Sequence, residues 1–226
     1  MNRIGLLNEG SLHSQIKQYY RIPGDTLEQK VDGKYIDIVR GNLLIEIQTG
    51  NFSKIKKKLL SLIRNKHKIR LIFPIPEEKW IVYINPATSR EIKRRKSPKK
   101  GRTIDIFNEL IRIPALINKR GFQIELLYTI EEEVRCNDGK GSWRKKGISI
   151  VERRLIKVNK SEILCTKKDF LRLLPSTLPS PFTNRILACE IKCSIRQATK
   201  LTYCLKKMGV IKENGRTGRS IAYTKI

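Results

Sequence analysis

A chain of 226 residues, 39% hydrophobic and 31% charged, is long enough for one ordinary domain and a small second one, and too apolar to be disordered. Its 48 Lys and Arg against 21 Asp and Glu leave a formal charge of +27, a self-repulsion that points to a polyanionic partner, nucleic acid before an anionic membrane surface. No run approaches the roughly 18 to 20 apolar residues of a spanning helix, and the first residues lack the apolar stretch of a signal peptide, so a cytoplasmic protein is expected.

Five cysteines, Cys136, Cys165, Cys189, Cys193 and Cys204, never fall at the two-residue spacing of a zinc knuckle and are expected as buried free thiols.

Residues 1–84 read as helix, three strands, helix, strand, strand. Leu12, Ile16, Tyr19 and Tyr20 recur at helical spacing, and Leu59, Leu60, Leu62 and Ile63 form a second stripe after Asn51-Phe52-Ser53. Short β-rich runs cover Tyr35–Val39, Leu43–Gln48, Ile69–Phe73 and Trp80–Ile84. Residues 89–103 form a basic stretch with no apolar period and a single acid, Glu91. As a loop it is either solvated or ordered on a phosphate backbone through Arg94, Arg95, Lys96, Lys99, Lys100 and Arg102. A helical pattern resumes at Ile104–Ile117, and strands at Phe122–Tyr128 and Ser142–Val158 follow, with Asn137-Asp138-Gly139 as a turn. A change of character at Asn159-Lys160-Ser161 divides the chain into domains 1–160 and 161–226.

The chemistry concentrates in Lys34–Gln48. Gly41-Asn42 between two β-rich runs is a two-residue hairpin signal, because glycine supplies positive φ at no steric cost. That turn sets Asp37 opposite Glu46. Alternation places Tyr35, Asp37, Val39, Leu44, Glu46 and Gln48 on one face, and Ile36, Ile38, Leu43, Ile45 and Ile47 on a second face that must be buried. Two carboxylates directly opposed on one face repel unless a cation lies between them. Mg²⁺, or Mn²⁺ in its place, takes one or two carboxylates, waters and phosphate oxygens, and can supply a hydroxide-like nucleophile. Gln48, on the same face, could orient the water or a phosphate oxygen. The plainer alternative is that Asp37, Glu46 and Gln48 form the wet face of an amphipathic hairpin. Glu9 lies on the sheet-facing side of the first helix, where its bland role is favourable charge at a helix N-terminus. His13, one turn on, reads as a surface histidine.

The order of elements, with Asp37 and Glu46 separated by eight residues and followed by Ile47-Gln48, resembles the PD-(D/E)XK superfamily of restriction-endonuclease-like nucleases over roughly residues 5 to 84. The resemblance implies a mixed α/β sheet flanked by helices. It also implies Asp37 and Glu46 as metal ligands and Glu9 as the first-helix glutamate. Ile36 stands where the family's proline would, and Gln48 replaces its lysine, a change found in some active restriction enzymes and equally suited to a site that has lost activity. Lys54, Lys56, Lys57 or Lys58 could restore the ammonium from the next helix, Lys57 first among them.

From Lys167 onward the pattern resembles a winged helix-turn-helix. Phe182–Ile191 reads as one helix, Lys192-Cys193 as the turn, and Ser194 as the N-cap of a longer helix that ends at Gly209. Ile195, Ala198, Leu201, Leu205 and Met208 form its buried stripe. Arg196 and Gln197 could reach base edges in a major groove, with Lys200 on phosphates. Val210–Lys212 and Ile221–Lys225 form the wing, whose loop offers Arg216 and Arg219.

The whole reads as a Mg²⁺-dependent endonuclease acting on double-stranded DNA with no membrane partner, or as an inactive nuclease-fold regulator or mobile-element accessory that still binds DNA. A small module for protein contacts and RNA processing are the remaining alternatives. Double-strand cutting would call for two sites and hence a homodimer.

Overall fold

The computed structural model describes residues 11–226. The expected catalytic Glu9 therefore lies outside the described residues. In chain order the elements are α1 (Ser11–Tyr20), β1 (Thr26–Val31), β2 (Lys34–Arg40), β3 (Leu43–Ile47), α2 (Lys56–Arg64), β4 (Lys68–Ile84), β5 (Glu91–Lys96), α3 (Phe107–Leu110), β6 (Phe122–Asn137), β7 (Ile148–Leu164), α4 (Lys167–Leu171), β8 (Phe182–Thr183), α5 (Asn184–Glu190), α6 (Ile195–Met208), β9 (Ile211–Thr217) and β10 (Ser220–Lys225). The fold class is α/β: a seven-stranded mixed sheet of order β1-β2-β3-β4-β6-β7, with β5 also on β4, flanked by helices. A three-stranded antiparallel sheet, β8-β10-β9, accompanies α4, α5 and α6.

β3 and β4 are parallel, so the chain must cross over between them, and α2 makes that crossover. α2 turns Leu59 and Leu62 onto one face of the sheet, beside Leu44, Leu71 and Phe73. α1 covers the other face with Leu12 and Ile16, packed on Ile38, Ile45, Ile47 and Ile72. Each such buried aliphatic side chain contributes about 1.5–3 kcal/mol. Both faces of the hairpin are thus covered, whereas the alternation required only one to be.

β4 is a single strand of 17 residues where two separate strands were expected around Pro74 and Pro76. Its partner on one side is β6 throughout, from Ile69↔Phe122 to Ile84↔Cys136. On the other side β3 ends at Ile72 and β5 begins at Trp80. Both prolines lie in that gap, where a nitrogen turned to the open side forfeits no ladder bond.

The basic stretch is only partly a loop. Arg94, Arg95 and Lys96 belong to β5, whose order comes from outside: it pairs with Trp80–Ile84, and the Arg94 guanidinium lies 4.6 Å from the Trp80 ring centroid. The helix expected over Ile104–Ile117 is broken into a 3₁₀ turn at Thr103–Ile106, the four-residue α3 and a second 3₁₀ turn at Leu116–Asn118. Pro114, with no N–H and a fixed φ, interrupts it. β7 runs through the domain edge expected at residue 160 and on to Leu164. Cys136 and Cys204 are buried as expected, but Cys165 and Cys189 are exposed and Cys193 is half-buried; all five are free.

The C-terminal elements are not packed apart. One continuous core joins Ile104, Ile106, Phe107 and Leu110 to Phe170, Ala198, Leu201 and Leu205. Ser194 caps α6 by accepting from Gln197 N–H at 3.2 Å, and Gly209 ends it at φ 70°. The hairpin strands run further than expected, so Arg216 lies within β9 and only Gly218-Arg219 separate it from β10. Phe182 and Thr183 pair with β10 as β8 instead of opening the helix.

Candidate functional site

The β2–β3 ladder pairs Ile38↔Ile45, Val39↔Leu44 and Arg40↔Leu43, the register set by the Gly41-Asn42 turn. The ladder ends at Ile38↔Ile45, with Asp37 and Glu46 the next residue on each strand and close enough for the Asp37 charge to act on Glu46. There the side chain of Asp37 takes over from the ladder, its Oδ2 accepting from the Ile47 N–H at 2.7 Å. The side chain of Glu46 is 4% exposed, so this is no wet face.

Two further groups complete the cluster. Lys58 Nζ stands 2.6 Å from the buried Glu46 Oε1. His13 Nε2 stands 3.1 Å from Asp37 Oδ2. Lys57, first choice on the sequence, is exposed. Lys58 lies four residues before the buried Leu62, on the sheet side of α2, and His13 lies three before the buried Ile16. That spacing was the signal available for both.

The electrostatics follow from this packing. Burial raises the pKa of Glu46, the Asp37 charge raises it further, and Lys58 only partly offsets them, leaving it at about 7. Burial also acts to raise Asp37, but the bond from His13, its charge, the Ile47 N–H and Lys58 outweigh it and hold Asp37 below the usual carboxylate range. One carboxylate is therefore held ionised at the expense of the other.

The donor set suits a hard divalent ion: two carboxylates on neighbouring strands, one of them almost wholly buried. Among the described residues there is no group of three or more Asp, Glu, His or Cys able to hold a metal. A site built on Asp37 and Glu46 would leave the remaining positions to water and substrate, which Mg²⁺ accepts. Gln48 lines a cleft of about 930 Å³ between His13, Asn51 and Lys54 on one side and Glu152 and Arg153 of β7 on the other. A second hollow of about 460 Å³ shares Thr49 and Arg153 with it and runs under the proline gap of β4 to Glu131 and Asp105.

The basic residues divide. Arg94, Arg95, Lys96, Lys99, Lys100, Arg196, Arg216 and Arg219 are exposed. Arg94 and Lys96 are also paired within the chain, with Glu132 at 3.2 Å and Glu78 at 2.5 Å. Arg102 is exposed too, and donates to the carbonyls of Ile191 and Lys192 at 3.0 and 3.1 Å. Gln197 Nε2 donates to the Ile104 carbonyl and Lys200 Nζ to Asn108 Oδ1, both at 2.7 Å. These three residues hold α5 and α6 against the α3 region; Gln197 and Lys200 are half-buried there, whereas Arg102 remains exposed. The outward arc of α6 also carries Thr199, Tyr203, Lys206 and Lys207.

A family model described as "Domain of unknown function (DUF8091)" matches residues 10–165. The chain belongs to this family. The DUF8091 match ends one residue beyond β7 and contains the whole Asp37–Glu46–Lys58–His13 cluster. An uncharacterized protein of Treponema pallidum (strain Nichols) is 27% identical over 226 residues, covering 98% of this chain and 87% of that one. No solved structure matches. Among the described residues no helix is long and apolar enough to cross a membrane.

Proposed function

We propose that this DUF8091 protein is a metal-dependent DNA endonuclease of the PD-(D/E)XK kind, with a winged helix at its C-terminus that docks the duplex. The observation that carries the reading is the buried Asp37–Glu46 pair with the Lys58 ammonium 2.6 Å from Glu46. It restores, from α2, the charge that Gln48 lacks. The crossover β3–α2–β4 with helices on both faces of the sheet supports the same reading.

Asp37 and Glu46 would hold Mg²⁺ or Mn²⁺, which when bound supplies Lewis acidity at the phosphate and a water of lowered pKa. The chain's own residues do the rest. His13 and the Ile47 N–H fix the carboxylate of Asp37 in one orientation and keep it ionised. Lys58 offers positive charge where negative charge grows on the phosphoryl oxygens. Gln48, at the cleft, would orient the attacking water. Arg196, Arg216 and Arg219 supply duplex contacts, while Gln197 and Lys200 maintain the position of α6.

Purified protein is incubated with supercoiled plasmid in Mg²⁺, Mn²⁺ or EDTA, beside Glu46→Ala and Lys58→Met. Metal-dependent nicking lost in both variants, with DNA affinity retained, supports the reading. Equal cutting by Glu46→Ala sinks it. Absence of cutting with tight, salt-sensitive binding would favour the second reading, a regulator that kept the fold as a scaffold, to which Gln48 in place of lysine lends weight.

A further inference from the structure

β6 and β7 are joined by a tip between Asn137 and Ile148, which stands next to Ile150 and Val151 at the edge of the cleft. The tip is a built loop. Asp138 accepts from the Lys140 N–H and the Ser149 hydroxyl, each at 3.0 Å, and the Gly141 N–H donates to the Gly147 carbonyl at 3.0 Å. A side chain on Gly141 would meet the Ile148 carbonyl oxygen at 2.0 Å, so the loop closes on itself only because glycine stands there. Trp143–Lys145 form a 3₁₀ turn within it.

This loop presents a tryptophan to water. Trp143 is 83% exposed, whereas Trp80, the other tryptophan, donates from its indole N–H to Glu78 at 2.8 Å and lies under Arg94. Lys140, Arg144, Lys145 and Lys146 around Trp143 are all exposed, and the Arg144 guanidinium lies 5.4 Å from the indole centroid. The nearby acid, Asp138, is engaged in the turn.

An apolar ring that a folded loop holds outward amid cations fits a flat apolar partner flanked by anions. A nucleobase between phosphates is such a partner, and every base has a π-face. Within a duplex those faces are already stacked, so the base must be unpaired. The core of a protein interface is depleted in lysine, which argues against a protein partner. A membrane would touch the tip alone, yet exposed cations also stand on the strands behind it, Arg94 and Arg95 on β5 and Arg153 of β7 at the cleft.

We propose that Trp143 is a stacking platform for an unpaired base, making single-stranded or branched DNA the preferred substrate class. The contact stands on the loop itself; its meaning as substrate choice rests on the nuclease reading. Ile150 and Arg153 line the cleft from β7, and the tip precedes the start of that strand, so a strand stacked on Trp143 would lead to the cleft.

The test compares wild type, Trp143→Ala and Trp143→Phe for binding to a dT oligonucleotide, a duplex of equal length, heparin and phosphatidylserine vesicles, following tryptophan fluorescence. The oligonucleotide should quench the wild-type signal. Trp143→Ala should lose roughly tenfold in affinity for it, and Trp143→Phe much less, with duplex and heparin binding unchanged. Equal losses on duplex and heparin would overturn the proposal in favour of simple charge. Unchanged oligonucleotide affinity would overturn it as well, and a blue shift on vesicles alongside that would assign the tip to a lipid surface. These binding results do not depend on Glu46, so a catalytically dead protein would refute the nuclease reading and leave the stacking test intact.

Discussion

Replacing Glu46 with Gln removes a charge whose pKa burial and Asp37 together hold at about 7, against 4.5 for an ordinary glutamate. A folded-state pKa raised above the unfolded one means that the native protein binds the proton more tightly. Stability is therefore lost as pH climbs from about 4.5 to about 7, and at pH 8 the full cost is present, on the order of 3 kcal/mol. Glutamine is nearly isosteric and carries no charge, so Glu46→Gln should recover most of that figure at pH 8 and little at pH 4.5. The loss of a partner for Lys58, whose side chain is 22% exposed and can turn to solvent, offsets part of it. For a chain of this size the gain corresponds to a rise in Tm of about 5–10 °C. Thermal unfolding followed by circular dichroism at both pH values, with and without Mg²⁺, reads the effect. Mg²⁺ should raise the Tm of the wild type and leave that of the variant unmoved. A variant no more stable than wild type at pH 8, or a gain that is the same at pH 4.5, would refute the account of Glu46 as a destabilising charge awaiting a cation.

Lys58→Met should lower plasmid cutting by about 10²- to 10³-fold with little change in DNA affinity, while Lys57→Met should leave both alone. Asp169→Asn should cost about 1–2 kcal/mol in urea unfolding, since Asp169 and Thr166 form a reciprocal helix cap. Burial acts to raise Asp169, but the N–H groups of Cys165 and Thr166, the Thr166 hydroxyl and Arg172 hold its pKa well below the usual range. That contribution is present above the unfolded value of about 3.8 and fades only as acid carries the pH down through the folded one. On a duplex, Arg196→Ala and Arg216→Ala should each weaken binding and reduce the salt slope by about 1. Gln197→Ala and Lys200→Ala should instead lower Tm and leave that slope unchanged.

What could be read from the sequence tracked how local the determining physics was. The Gly41-Asn42 turn and strict alternation sufficed to set Asp37 beside Glu46, because hairpin register is decided by residues a few positions apart. Lys58 and His13 required knowing which side of α1 and α2 meets the sheet at the level of Asp37, a tertiary fact that periodicity only narrows. The strands expected at Ile69–Phe73 and Trp80–Ile84 are one, since nothing nearby in sequence reveals that β3 stops and β5 starts on either side of Pro74 and Pro76. β5 looked like solvated loop because its order is supplied by Trp80 and by acids on β4 and β6. Gln197 and Lys200 sit on a helix face that looks free in isolation and is occupied only by the α3 region, some ninety residues earlier.

The family match ends at residue 165, but the core does not. Phe107, Leu110 and Ile106 owe much of their shelter to Phe170, Ala198 and Leu201, which lie beyond that limit. A chain cut after Cys165 would thus keep every residue of the acid cluster and still expose a broad oily flank. It should precipitate or associate where the full chain stays dispersed. The sixty-odd residues that follow the family domain are, in physical terms, its lid on that side, and truncations made to isolate that domain will need to leave them in place.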